Sequence, residues 1–129
     1  MQRRRLLVVE DDPIVLDAVA MMLSADGHEV HTAGTRAQAL SLLAQTAYDV
    51  IVSDLRVPEL DGPTLYRELK QRRPEALQRL IFITGSTPAF SDFLAEARVP
   101  VLTKPFAAED LRRAIRNILA LHESARHAG

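Results

Sequence analysis

Five short apolar runs, at 5–9, 28–32, 49–53, 79–84 and 99–103, recur along the 129-residue chain at fairly even spacing, with stretches of helical period between them. The first, third and fourth are nearly continuous hydrophobes, as in Leu6-Leu7-Val8-Val9 and Leu80-Ile81-Phe82-Ile83. Continuous rather than alternating apolar character belongs to strands buried on both faces of a parallel sheet, so helices must cover both faces.

The intervening segments supply those helices. Ile14, Val15, Ala18, Val19, Met22 and Leu23 form one apolar stripe, ending near Gly27, and Ala37, Leu40, Leu43, Ala44 and Ala47 form a second. Thr35 and Gln38 stand at capping-box spacing before the second. A third helix opens at Asp61-Gly62-Pro63, where the missing proline N–H is harmless, and ends before Pro74. Thr87-Pro88 opens a short fourth helix carrying Phe90, Phe93, Leu94 and Ala97. The fifth runs over about 107–122 and buries Leu111, Ala114, Ile115, Ile118 and Leu119, with Glu109 and Asp110 in its first turn. Five strand–helix units joined by right-handed crossovers predict an α/β fold, a doubly wound parallel sheet. A single domain over 1–129 is expected, with its core at about 4–122 and loose ends at 1–3 and 123–129.

Composition removes several functions. Lys and Arg number 16 against 17 Asp and Glu, a formal net charge of -1, so no bulk field draws the chain to nucleic acid or an anionic membrane. With no cysteine there is no disulfide framework, thiolate zinc site or thiol nucleophile, and a reducing cytoplasm fits. The apolar runs are too short to span a bilayer.

Ligands of such sheets bind beyond the carboxyl ends of the strands, where strand order reverses. Glu10, Asp11 and Asp12 follow the first strand, Asp54 the third, Thr84 ends the fourth, and Lys104-Pro105 follows the fifth. If the strand order is 2-1-3-4-5, the first acidic cluster faces Asp54. Crowded carboxylates need a cation, and an oxygen-only donor set without His or Cys selects a hard ion such as Mg²⁺. A carboxylate beside that ion can be a nucleophile that forms an aspartyl phosphate, with Lys104 and Thr84 serving the oxygens of the transferred group. Asp12, followed by Pro13, reads instead as a helix cap. Lys104 or Thr84 alone would be an ordinary surface lysine and an ordinary strand residue; their joint placement on the strand ends carries the argument.

Four motifs, Leu6-Leu7-Val8-Val9-Glu10-Asp11-Asp12, Asp54-Leu55-Arg56-Val57-Pro58-Glu59-Leu60-Asp61-Gly62, Ile83-Thr84-Gly85 and Lys104-Pro105-Phe106, resemble in order and spacing the receiver domain of two-component response regulators. The resemblance implies a flavodoxin-like fold in which Asp54 accepts a phosphoryl group from a phosphohistidine on a histidine kinase or histidine phosphotransfer protein. It implies Asp11 as direct Mg²⁺ ligand with Glu10 as its partner through water, and the backbone carbonyl of Arg56 as a further ligand beside Asp54. Thr84 becomes the switch hydroxyl, Lys104 binds a phosphoryl oxygen, and a cis bond precedes Pro105. Arg56 and Ser86 hold positions that overlook the phosphoryl group. Helix four, strand five and helix five are the expected surface of a weak homodimer.

Two positions depart from that family. Val101 stands where Tyr or Phe is usual, so coupling through an aromatic rotamer is not expected, and Arg98-Val99-Pro100 replaces a small entry to strand five. Together with the short fourth helix, this looks more like the receivers of hybrid kinases or stand-alone relay proteins than like those of DNA-binding regulators. An aspartyl-phosphate phosphatase or mutase would carry Asp-x-Asp, but Leu55-Arg56 follows Asp54, and a nucleotide or flavin binder would need a Gly-rich loop after strand one. The intact acidic set speaks against a receiver-like fold used for protein contacts alone. Arg112, Arg113 and Arg116 read as a solvated face, as do the arginines at 3–5, and His28, His31, His122 and His127 as scattered and exposed.

Overall fold

The computed structural model describes residues 4–57, 59–85 and 88–128, and the side chains at 88 and 124–128 are not described. Five parallel strands, β1 (Arg5–Val9), β2 (Glu29–Ala33), β3 (Val50–Asp54), β4 (Leu80–Thr84) and β5 (Val101–Thr103), form one sheet in the order β2-β1-β3-β4-β5. That is the predicted order. The helices are α1 (Pro13–Ala25), α2 (Arg36–Gln45), α3 (Gly62–Arg72), α4 (Ser91–Ala97) and α5 (Ala108–Ala128).

Strand pleating divides the core into two layers. Leu7, Val9, Ile51, Leu80 and Phe82 face α2, α3 and α4, meeting Leu43, Leu65, Leu69 and Phe93. Leu6, Val8, Val50, Val52, Ile81 and Ile83 face α1 and α5, meeting Val19, Leu23, Leu111, Ile115 and Ile118. All five residues of β3 and of β4 are buried, which explains their unbroken apolar run in the sequence.

The helix starts follow local chemistry. Asp12 Oδ1 accepts from the amide N–H of Ile14 at 2.9 Å, with Pro13 in the first turn, as expected of a cap. Thr35 Oγ1 accepts from the Gln38 amide at 3.2 Å, but Gln38 Oε1 reaches back to the Gly34 amide at 2.8 Å rather than to that of Thr35 itself. Asp61 Oδ1 caps α3 through the Thr64 amide at 2.9 Å.

Several boundaries differ from expectation. β2 starts at Glu29 because Gly27, with φ of 96°, still belongs to the turn. β3 ends on Asp54 itself, and β4 is preceded by a 3₁₀ turn, Pro74–Arg79, which takes Arg79 out of the strand. Pro100 lies before β5 rather than in it; lacking an N–H, it contributes its carbonyl, which accepts from the Phe82 amide at 2.9 Å. Pro88 opens a 3₁₀ turn, Pro88–Phe90, and α4 begins only at Ser91; Thr87 lies outside the described residues. α5 continues to Ala128, past the expected end near His122, and Arg4 of the chain start pairs with Glu123 on it.

A two-stranded antiparallel ribbon, Arg56–Val57 with Leu60–Asp61, sits between β3 and α3 and was not expected. Its turn places Glu59 at φ 66°. The ribbon folds back on the core through Gly62, whose amide donates to the Leu55 carbonyl at 2.9 Å. A Cβ at Gly62 would lie 2.2 Å from Leu55 Cδ2 and 3.3 Å from Phe82 Cε1. Both neighbours are fully buried, so neither moves freely. Gly62→Ala is therefore expected to destabilise the fold by about 1–3 kcal/mol, measured by urea unfolding, and an unchanged midpoint would show that Leu55 repacks without cost.

The arginines of α5 have carboxylate partners: Arg112 with Asp26 at 2.8 Å, Arg116 with Glu109 at 2.6 Å and Arg113 with Asp110 at 4.0 Å. Arg5 pairs with Glu29; Arg3 lies outside the described residues. The histidines are not simply exposed. His31 Nδ1 stands 2.7 Å from the Tyr48 hydroxyl and Nε2 3.0 Å from Glu29, His122 Nε2 lies 3.4 Å from the Gln78 carbonyl, and His28 keeps Nδ1 buried without a partner. The side chain of His127 lies outside those described. No helix among the described residues is long and apolar enough to cross a membrane.

Candidate functional site

The carboxyl ends of β1, β3, β4 and β5 converge on one acidic cluster. The register that pairs Val9 with Ser53, Asp54 with Ile83 and Thr84 with Thr103 sets Glu10, Asp54, Thr84 and Lys104 side by side. Backbone bonds lock this end of the sheet: the Glu10 amide donates to the Ala33 carbonyl at 3.0 Å, Leu55 to Ile83 at 2.9 Å and Lys104 to Thr84 at 2.7 Å. The Lys104–Pro105 bond is cis, as expected.

Glu10 is 1% exposed, Asp54 5% and Thr84 0%, whereas Asp11 is exposed. One carboxylate oxygen each from Glu10, Asp11 and Asp54 lie within 4.8 Å of one another. Asp12 is not in that group; it is spent on capping α1. Lys104 Nζ bridges the two buried acids, 2.6 Å from Asp54 Oδ2 and 3.1 Å from Glu10 Oε2. The Arg56 amide donates to Asp54 Oδ1 at 2.8 Å, and the Asp12 amide to Glu10 Oε1 at 3.2 Å.

This crowding separates the two acids electrostatically. Burial, and then the neighbouring Asp54, push Glu10 up from 4.5 to about 7, against the pull of Lys104 and the Asp12 amide. Burial also pushes Asp54 up, but hydrogen bonds from the Glu10 carboxyl, Lys104 and the Arg56 amide outweigh it and hold Asp54 below its usual range. Lys104 loses some affinity for its proton through burial and regains more from Asp54 and Glu10, so it stays charged. Two acids sharing one lysine are thus shifted in opposite directions, Glu10 upward and Asp54 downward.

One neighbour of the site was missed in the sequence. The Arg56 guanidinium lies over the ring of Phe90, 5.4 Å from its centroid, tying the ribbon to the residue that opens α4. An aromatic six residues beyond Thr84 makes no pattern in one dimension. Ser86 lies outside the described residues, and Val101 is partly buried against the Phe82 layer.

The comparisons with known proteins agree with this geometry. The response regulator receiver domain family matches residues 6–116. The sensor kinase CckA of Brucella abortus is 35% identical over 117 residues, covering 88% of this chain and 12% of the kinase. The transcriptional regulatory protein GlrR of Escherichia coli is 33% identical over 120 residues, covering 93% of this chain and 27% of the regulator. The chain therefore spans a minor part of both relatives. Among solved structures, the receiver domain of the sensor histidine kinase PA1611 from Pseudomonas aeruginosa superimposes with a TM-score of 0.82 at 25% identity, over 92% of this chain and 99% of that one, and holds a magnesium ion in its active-site cleft. A family match that starts in β1 and ends in α5, on a sheet of this order, leaves a single assignment: the chain belongs to the receiver domains of response regulators.

Proposed function

We propose that Asp54 is the phosphoacceptor of a two-component phosphorelay and that the domain catalyses only its own phosphorylation and dephosphorylation. One observation carries the reading: the buried Asp54 carboxylate, 2.6 Å from the Lys104 ammonium, stands within 4.8 Å of the Glu10 and Asp11 carboxylate oxygens. The donors are all oxygen, the set that suits Mg²⁺, and the magnesium site of the related PA1611 receiver supports the same ion here. Asp11 and Asp54, the backbone carbonyl of Arg56, and Glu10 through water would hold it. Bound Mg²⁺ supplies positive charge that offsets the carboxylates and the phosphoryl oxygens.

The rest is the work of this chain's own residues. A carboxylate oxygen of Asp54 forms the new O–P bond while the N–P bond of a phosphohistidine breaks, and the imidazole leaves with the electron pair. Lys104 offers its ammonium, and Thr84 its hydroxyl, to oxygens of the transferred group. The donor partner is a histidine kinase or a histidine phosphotransfer protein, and the setting is cytoplasmic. The state of Asp54 is read on α4, β5 and α5, where a second copy of this chain would dock weakly; α4 carries no fully buried residue and Leu121 on α5 is 70% exposed.

Incubation with acetyl phosphate and Mg²⁺ tests the reading by intact-protein mass: a gain of one phosphoryl group is expected, and no gain would overturn it. The two neighbouring aspartates separate metal from structure. Asp11→Ala is expected to abolish Mg²⁺ binding by titration calorimetry. Asp12→Ala is expected to keep it and to cost about 1 kcal/mol of stability as a lost cap. Equal loss of metal in both would show the pair to be misassigned.

A further inference from the structure

Arg56 stands at two places at once. Its amide donates to Asp54 Oδ1 at 2.8 Å, and its guanidinium lies 5.4 Å from the centre of the Phe90 ring. Phe90 is the N-cap residue of α4, and it provides no side-chain hydrogen bond there. α4 is seven residues long and has no fully buried side chain; Phe90, Phe93, Leu94 and Ala97 only lean on the core, with Phe93 edge-on to Tyr66 and Phe82. A contact that holds Phe90 therefore holds a weakly anchored helix start.

We propose that Phe90 is a positioning residue for Arg56: the ring holds the guanidinium while Asp54 is unmodified and yields it to the phosphoryl group, so the charge on Asp54 is coupled to the start of α4. The inference rests on the reading of Asp54 as phosphoacceptor. A phosphoryl group brings about 1.5–2 negative charges and three strong acceptor oxygens. A guanidinium meets such oxygens in a bidentate, charge-assisted pair, which is stronger than a cation–π contact at an exposed site. Arg56 is exposed, so no burial holds it on the ring. The two contacts compete for a single guanidinium, and competition is reciprocal: the phosphoryl group weakens the ring contact by the same factor by which the ring contact weakens phosphoryl binding. No covalent step is involved.

Beryllofluoride with Mg²⁺, a phosphoryl mimic, tests this in the full chain, followed by the Arg56 Nε–H resonance and by amide exchange over residues 89–97. Phe90→Leu is expected to bind the mimic about two- to fivefold more tightly, the factor that a surface cation–π contact represents. Phe90→Tyr keeps a ring and is expected to behave as the wild type. In an Arg56→Ala background, Phe90→Leu is expected to change nothing. In the wild type the mimic is expected to move the Arg56 resonance and speed exchange over 89–97; in Phe90→Leu, exchange is fast beforehand. An Arg56 resonance that does not move, or a Phe90→Leu effect of equal size without Arg56, would overturn the inference. Acetyl phosphate labelling, run in parallel, shows whether the phosphoacceptor reading has failed instead: label on Asp54 with no Phe90 effect overturns this inference alone, and no label overturns both.

Discussion

Asp54→Asn is expected to abolish labelling by acetyl phosphate in the presence of Mg²⁺, with no residual phosphoryl group on any other residue. The amide nitrogen that replaces a carboxylate oxygen is not a nucleophile at phosphorus, and no other described carboxylate combines the geometry of Asp54 with its environment. Glu10 is as deeply buried but is pushed up to about 7, and it is held by Lys104 and the Asp12 amide. Asp11 is exposed and lacks the contact with Lys104 that polarises Asp54. Asn is nearly isosteric, so the Arg56 amide keeps an acceptor and the fold is expected to persist. Peptide mapping of the treated variant reads the result; label appearing on Glu10 or Asp11 would mean that the site, not the residue, selects the nucleophile.

Replacing Lys104 by Met is expected to produce a pH-dependent loss of stability in chelator. Lys104 is 28% exposed while the side chains of its partners Glu10 and Asp54 are 1% and 8% exposed, so its removal strands two acids in a poorly hydrated place. The folded-state pKa of Glu10 lies above its unfolded value, near 7 against 4.5, so its contribution is complete below pH 4.5 and is lost as pH rises through 7. Asp54 has the opposite sign: its depressed pKa contributes above the usual carboxylate range and is lost as the solution becomes more acid. With Lys104 present, the ammonium limits the alkaline loss. In Lys104→Met, the deficit relative to wild type is expected to reach on the order of 3 kcal/mol at about pH 8. At about pH 5.5 it shrinks, because Glu10 then carries a proton to share with Asp54. Mg²⁺ added at the higher pH is expected to recover part of the loss. Urea unfolding at both pH values decides the matter, and an equal deficit at both would show that the lysine acts through packing of its stem.

Much of this protein was legible in one dimension, and for identifiable reasons. Strands buried on both faces must be apolar throughout, so β1, β3 and β4 stood out. Asp12-Pro13 and Asp61-Gly62-Pro63 mark helix starts because capping is a contact between residues two or three apart. The strand-end acids, Thr84 and Lys104 could be named as one site because a parallel sheet with helices on both faces has one place where its strand ends meet a crevice. Short-range chemistry and topology rules together reached these strand-end residues.

What the sequence by itself determined was thus the sheet, its order and the meeting of Glu10, Asp54, Thr84 and Lys104 at its strand ends. Only the tertiary structure decided how the members divide the work. That Glu10 is pushed up while Asp54 is held down depends on two buried acids meeting at 4.8 Å or less and on a lysine 50 residues from Asp54 and 94 from Glu10 lying between them. The ribbon after β3, the close approach at Gly62 and the Arg56–Phe90 contact were equally invisible, since each joins segments whose distance is set by how layers pack, not by any local periodicity. The ends of β2 and β5 and the length of α5 slipped for a related reason. Where an element stops depends on the partner that accepts its last hydrogen bond, and that partner comes from elsewhere in the chain.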